Sequence, residues 1–208
     1  MADEPTRVLM IRHGLNDYIL THRLAGRTPG VHLNGRGRAQ AQATAERLAD
    51  AKLAAVYSSP LERALETAEP IAVQLGLPVV TVEGVIETGC GEWTGQAIEE
   101  VSKSDLWRQI QAQPSGVRFP GGESMAEIQA RMVAAVDALV AQHQGQTFAV
   151  VSHSDPIKLL VSHYIGLHMD MMQRLVISPA SITELEFASF RPRLLRCNDC
   201  AHLPAEKD

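Results

Sequence analysis

The 208-residue chain holds only three cysteines, Cys90, Cys197 and Cys200, too few for a disulfide framework. No apolar run is long enough to cross a bilayer. The acidic start, MADEPTR, leads directly into a strand, without the basic segment and apolar core of a signal peptide. A cytoplasmic location and no membrane partner are therefore expected. Positive charge is not in excess: the formal net charge is -5 and the pI is near 5.9, which argues against a nucleic-acid partner. HExxH, an EF-hand loop and a P-loop Gly-Lys-Ser/Thr pattern are all missing, as are repeats and low-complexity tracts. The segment Cys197-Asn198-Asp199-Cys200 with His202 resembles half of a zinc site, but only Cys90 remains as a further thiol. A mobile tail or a chance thiol pair fits it better, so no metal and no cofactor are expected.

What is present is 45% hydrophobic residues and 21% charged residues. A chain of this length can bury roughly 70% of its unfolded surface without staples. One domain over 1–208 is expected, with a tail from 197 to 208. Apolar runs at Val8–Ile11, LAAVYSS, LPVVTV and QTFAVVSH read as strands, with LVISP and the alternating SITELEFASF as later ones. The alternation of SITELEFASF suggests an edge strand that could pair two copies in a homodimer. Between the runs lie helical segments. One follows an Asn34 cap and another follows Pro60, closing on Gly76 with Pro70 as a kink or break. A long helix begins at a Ser124/Glu127 capping box, and DPIKLLVSHYIG follows with Asp155 as N-cap and Pro156 as first helical residue. Residues 88–122, rich in Gly, Pro, Gln and Ser and holding both tryptophans, read as an excursion over one edge. The order implies an α/β fold, a three-layer α/β/α sandwich with a mostly parallel central sheet and a small cap over the carboxyl edge.

Three strands end in polar residues: VLMI in Arg12-His13-Gly14, AAVY in Ser58-Ser59-Pro60 with Arg63 one turn later, and FAVV in Ser152-His153-Ser154. In a parallel sheet these ends share one side, where ligand crevices form. Two histidines and two arginines would converge there. That much positive charge needs a partner, and a tetrahedral phosphoryl group suits two guanidinium forks.

The segments RHG at 12–14, YSSPLERALETA with Arg63, IETGCGEW with Glu87, FPGGES at 119–124 and VSHSDPI with His153 occur in this order. Together they resemble the histidine phosphatase superfamily, the phosphoglycerate-mutase-like proteins, over about Arg7 to Phe187. The resemblance implies that His13 is a nucleophile forming a phosphohistidine. Arg12 and Arg63 would neutralise the transferring group, and His153 would donate to the same oxygens, charged when phosphate is bound. Glu87, which alone reads as an exposed loop glutamate, becomes the general acid, with a raised pKa.

Several positions depart from the family pattern. Asn16 stands where Ser or Thr is frequent, and it keeps the ability to bond an oxygen. Ile19 stands where mutases carry an asparagine that touches phosphate. Ser154-Asp155 replaces a Gly-rich continuation and sets a carboxylate near the anion, unless Asp155 caps its helix facing away. Cys90 takes a place where aromatics are common. Asn16 and Ser154 are candidate phosphate contacts. Arg23 and Arg27, in an arginine-rich stretch without acids, are candidate substrate contacts, although a solvated loop is an equal reading. The expected activity is metal-independent hydrolysis of a small phosphomonoester. A phosphoglycerate-type mutase is the alternative, disfavoured by a cap offering only Lys103, Arg108 and Arg118. A silent phospho-ligand sensor is the other.

Overall fold

The computed structural model describes residues 4–188 and 191–204. The chain runs β1 (Thr6–Arg12), α1 (Asp17–Leu20), α2 (Gly35–Arg47), β2 (Leu53–Ser58), α3 (Glu62–Leu75) and β3 (Val79–Thr81). It continues through α4 (Ile98–Val101), α5 (Asp105–Ala112), α6 (Met125–Gln142), β4 (Thr147–Ser152), α7 (Ser154–Ile165), β5 (Ile182–Phe187) and β6 (Pro192–Asp199). Six strands form one sheet in the order β3-β2-β4-β1-β5-β6. The four from β3 to β1 are parallel, and β5 and β6 are antiparallel additions.

The strands at the centre are apolar on both faces, and their period of two divides the core. Val8, Met10, Phe148 and Val150 meet α6 and α7 through Met132, Val136, Ile157 and Leu160. Leu9, Ile11, Ala149 and Val151 meet α2 and α3 through Ala45, Ala64, Ala68 and Ile71. This is the α/β/α sandwich with a mostly parallel sheet. A third cluster, with Trp93, Val101, Ile110 and Phe119 packed on Met125, Ile128, Leu159 and Met172, builds the cap from residues 88–122. Among the described residues no helix is long and apolar enough to cross a membrane.

Several local expectations are corrected. α3 starts at Glu62, capped by Leu61, because Ser59 still pairs with the Val151 carbonyl at 2.9 Å and holds the chain extended past Pro60. The helix then runs through Pro70 to Gly76, whose φ of 65° closes it. Burial of Ala64, Ala68 and Ile71 offsets a proline penalty of about 3 kcal/mol. His153, not Asp155, is the N-cap of α7, and Pro156 lies inside the first turn, where a missing N–H costs nothing. Residues 175–179 are not a strand; the Ile177 carbonyl is taken by the Arg12 Nη1 at 2.6 Å. β5 lies between β1 and β6, so both its edges are occupied and it offers no free edge to a second copy. Residues 189–190 of that expected strand, and 205–208 of the expected tail, lie outside the described residues. Cys197 to Asp199 belong to β6 rather than to a tail.

Candidate active site

The site begins with strand register. In the parallel pair β1/β4, Arg12 stands beside Ser152, so the next residues, His13 and His153, emerge side by side with ring centroids 5.1 Å apart. The Nδ1 of His13 lies 2.7 Å from the Gly14 carbonyl. A carbonyl only accepts, so Nδ1 carries the proton and Nε2 presents a lone pair. Arg63 Nε donates to that lone pair at 3.3 Å. Burial, then Arg63 and Arg12, hold the imidazole pKa well below its usual value. The loop after His13 is fixed from two sides. Gly14 N–H donates to Thr67 Oγ1 at 3.0 Å. Gly37 at the start of α2 packs so closely that a Cβ there would lie 2.0 Å from the Leu15 oxygen.

Arg63 is fully buried and donates through Nη2 to the Gly26 carbonyl at 2.8 Å. Its Nη1, the Nε of half-buried Arg12 and the Nδ2 of buried Asn16 find no hydrogen-bond partner among the described residues. The other end of Asn16 is occupied: its Oδ1 accepts from Ile19 N–H at 3.0 Å and caps α1. Three donors without partners among the described residues therefore belong to residues that line one cavity with His13. Buried donors left unpaired cost about 1–3 kcal/mol each, and more when charged, which is the signature of a site shaped for an acceptor-rich ligand.

His153 Nε2 is 2.7 Å from Ser59 Oγ, and its Nδ1 is 3.7 Å from Glu87 Oε2. Burial, followed by Arg63, His13 and Arg12, lowers its pKa well below the usual value. A charged His153 thus needs an anion to hold it. Glu87 is half-buried, not an exposed loop residue. Burial raises its carboxyl pKa; Arg63 opposes this and Asp155 adds to it. Its main-chain carbonyl accepts from Arg27 Nε at 2.9 Å and Arg131 Nη2 at 3.1 Å. Both arginines converge on Glu123, at 2.7 Å and 2.9 Å.

A cavity of about 260 Å³ unites these groups. Its wall includes Arg12, His13, Asn16, Arg63, Glu87 and Ser154, with Arg23 and His22 nearer the cap. Arg23 donates to the Gly95 carbonyl. Arg27 is not part of the wall; it holds the Glu87 backbone, contrary to the expectation of a substrate contact. Ile19 and Cys90 are apolar wall. A larger depression, about 520 Å³, lies at the amino end of β1 around Glu4, Thr6 and Val140, away from all of this chemistry. Sequence reasoning passed over Ser59 and Thr67 as site residues, although both stand in the segment that carries Arg63. Glu123 stands in the FPGGES segment but had no role assigned there, and Arg131 gave no signal; their shared partner, the turn at Glu87 to Gly89, is remote in sequence.

His13, Glu87 and His153 also bring ligand atoms within 4.8 Å of one another, close enough for a metal ion. Two guanidinium groups press positive charge into the same point, which suits an oxyanion better than a dication. Cys197, Cys200 and His202 do not form such a group among the described residues. The His202 Nε2 is 3.1 Å from both Thr44 Oγ1 and the Ala180 carbonyl.

Paired imidazoles beside two guanidinium groups at the carboxyl edge of an α/β sheet form a pocket suited to an oxyanion. The chain belongs to the histidine phosphatase superfamily (branch 1), whose family model matches residues 8–200. It is 37% identical over 187 residues to a bifunctional protein of Mycobacterium tuberculosis, covering 88% of this chain and 50% of that protein. The chain thus spans about half the length of the first curated relatives it matches. It is 29% identical over 202 residues to phosphoserine phosphatase 1 of Hydrogenobacter thermophilus, covering 95% and 94% of the two chains. A solved phosphoserine phosphatase variant of Entamoeba histolytica in complex with phosphoserine superposes with a TM-score of 0.88 at 28% identity, covering 96% and 100%.

Proposed function

We propose that the protein is a metal-independent phosphatase that hydrolyses a small phosphomonoester through a phosphohistidine on His13. The observation that carries this reading is a cavity lined by His13, whose Nε2 presents a lone pair, together with three residues that hold buried donors without partners among the described residues. A phosphoryl group fills that place: its oxygens accept from Arg12 Nε, Arg63 Nη1 and Asn16 Nδ2, and its phosphorus faces Nε2. Nε2 forms the new P–N bond as the P–O bond to the alcohol breaks. Glu87, whose proton affinity burial raises, gives its proton to the leaving oxygen. It then takes one from the water that cleaves the phosphohistidine. Relatives named as phosphoserine phosphatases support hydrolysis of a small ester.

A mutase must return the phosphoryl group to a second hydroxyl, and cationic groups in the cap would hold its anionic product. Here the three cap cations are engaged elsewhere: Lys103 with Glu100, Arg108 with Asp105 and Arg118 with Glu127. This supports hydrolysis over transfer.

The test is to incubate the protein with a panel of phosphomonoesters and a chelator, then measure free phosphate and acid-labile phosphohistidine. Release of phosphate in chelator, labelling at His13, and loss of both in His13→Ala are expected. Transfer to a second substrate hydroxyl identifies a mutase. Absence of labelling identifies a sensor. Substantial turnover by His13→Ala refutes the role of that residue.

A further inference from the structure

Of the two acids in the cavity wall, Glu87 and Asp155, the phosphatase reading uses only the first. Asp155 is not spent on the end of α7, because His153 holds the N-cap position. Its side-chain partner is Lys158, one turn along at 3.5 Å, and Lys158 also donates to Gln173 at 3.0 Å. The Asp155 charge reaches into the site: it raises the proton affinity of Glu87 and of Arg12. A carboxylate in this position repels a phosphoryl dianion, so it weakens binding of any substrate that brings only negative charge.

A second polar group points the same way. Thr88, the residue after Glu87, lines the cavity with only 2% of its surface exposed. Its Oγ1 has no hydrogen-bond partner among the described residues. Asp155 and the Thr88 hydroxyl are both able to accept in a wall that also carries the arginine donors Arg12, Arg23 and Arg63.

The geometry points to Asp155 as the specificity-determining residue of the site: with Thr88 it receives an ammonium group on the alcohol portion of the substrate. The substrate class is then the phosphomonoester of an amino alcohol or a hydroxyamino acid. This inference rests on the phosphatase reading. The ammonium turns the repulsion by Asp155 into attraction, and it discriminates against esters with a hydroxyl at the same carbon.

The experiment compares matched esters. O-phospho-L-serine is set against 3-phospho-L-glycerate, which differs by a hydroxyl in place of the ammonium. Phosphoethanolamine is set against 2-hydroxyethyl phosphate, the same exchange without a carboxylate. The wild type should favour the ammonium ester in both pairs by roughly ten- to a hundredfold in kcat/KM, the worth of a charge-assisted hydrogen bond. Asp155→Asn should bring both ratios to within about threefold. Each ratio compares like chemistry, so any effect of the variant on Glu87 divides out. A thermal melt checks that the variant is folded, and Asp155→Ser serves in its place if it is not. Ratios near one in the wild type, or ratios unchanged by the substitution, overturn the assignment. Release from p-nitrophenyl phosphate without preference for ammonium overturns this inference alone. No release from any ester, p-nitrophenyl phosphate included, overturns the phosphatase reading and this one with it.

Discussion

Arg63 should cost the protein stability while it supports turnover, and Arg63→Met separates the two effects. The guanidinium is fully buried. It donates to His13 Nε2 and to the Gly26 carbonyl, while Nη1 has no partner among the described residues. Burying such a cation carries an effective penalty of several kcal/mol. The charged hydrogen bond to Gly26 returns only about 1.5–3 kcal/mol; Glu87 and Glu62 compensate the charge in part, Glu87 less so because burial raises its pKa. Methionine keeps most of the volume and removes the charge. The variant is therefore expected to be more stable by about 1–4 kcal/mol in phosphate-free buffer. For a chain of this size that is about 2–4 °C in Tm per kcal/mol. Turnover should fall by at least about 10²–10³, the worth of one preorganised donor at the transition state. Inorganic phosphate at a hundred times its Kd should stabilise the wild type by about 2.7 kcal/mol and the variant much less. Urea denaturation with and without phosphate, beside a phosphate-release assay, reads all three quantities. A variant less stable than the wild type without phosphate refutes the claim that the charge is only partly compensated. A variant with the wild-type rate refutes the proposed role of Arg63.

Stability should also fall as the pH drops below about 6.5. His13 and His153 both have lowered pKa values in the fold, so the unfolded chain binds more protons below the reference value of about 6.5. The loss approaches about 2.7 kcal/mol per pH unit for the two groups together. Glu87 acts with the opposite sign. Its raised pKa means the native state takes up a proton first, which returns up to about 1.4 kcal/mol per unit between that raised value and about 4.3. Denaturation series from pH 8 to pH 5 would contradict this if stability were flat or rose toward acid. Gly37→Ala should be destabilising by about 1–3 kcal/mol, although alanine is the better helix former, because its Cβ meets the Leu15 carbonyl at 2.0 Å. It should also slow turnover by displacing the loop after His13, and a variant as stable and as fast as the wild type would show that this approach is not tight.

The sequence made the site legible where strands deliver it. Arg12-His13 and Ser152-His153 each follow an apolar run, and parallel pairing brings them together without further information. Arg63 was readable for the same reason, one turn into the helix that follows β2. What escaped is where a competing interaction reassigns a residue. The chain stays extended past Pro60 because Ser59 remains paired with β4. Residues 175–179 carry a strand-like composition, but their carbonyl at Ile177 is claimed by Arg12. β6 was missed because PRLLRCND has no clean alternation; it forms by pairing with β5, which local sequence does not announce. Propensity describes a segment alone, and each of these segments is settled by a partner distant in the chain.

The same reasoning explains why Arg27 was misplaced and what it does instead. An arginine in a loop near an anion site invites a role with substrate. Its guanidinium, however, lies against Glu123 and the Glu87 carbonyl, and Arg131 from α6 makes the same pair of contacts. Glu123 neutralises both cations and accepts from Gly89 N–H at 2.8 Å, so the turn that carries Glu87 is clamped on either side of that residue. A general acid must hold its proton and stay in place as charge develops. Burial raises the carboxyl pKa toward the first need, but a carboxyl on a free loop would move out to water and lose that shift. The clamp prevents this, and it does so with charges that are paired away from the cavity. Two kinds of arginine are therefore built into one small site. Under the proposed mechanism Arg12 and Arg63, each with a donor left open among the described residues, meet the oxyanion, while Arg27 and Arg131 are satisfied and hold the turn that carries the acid.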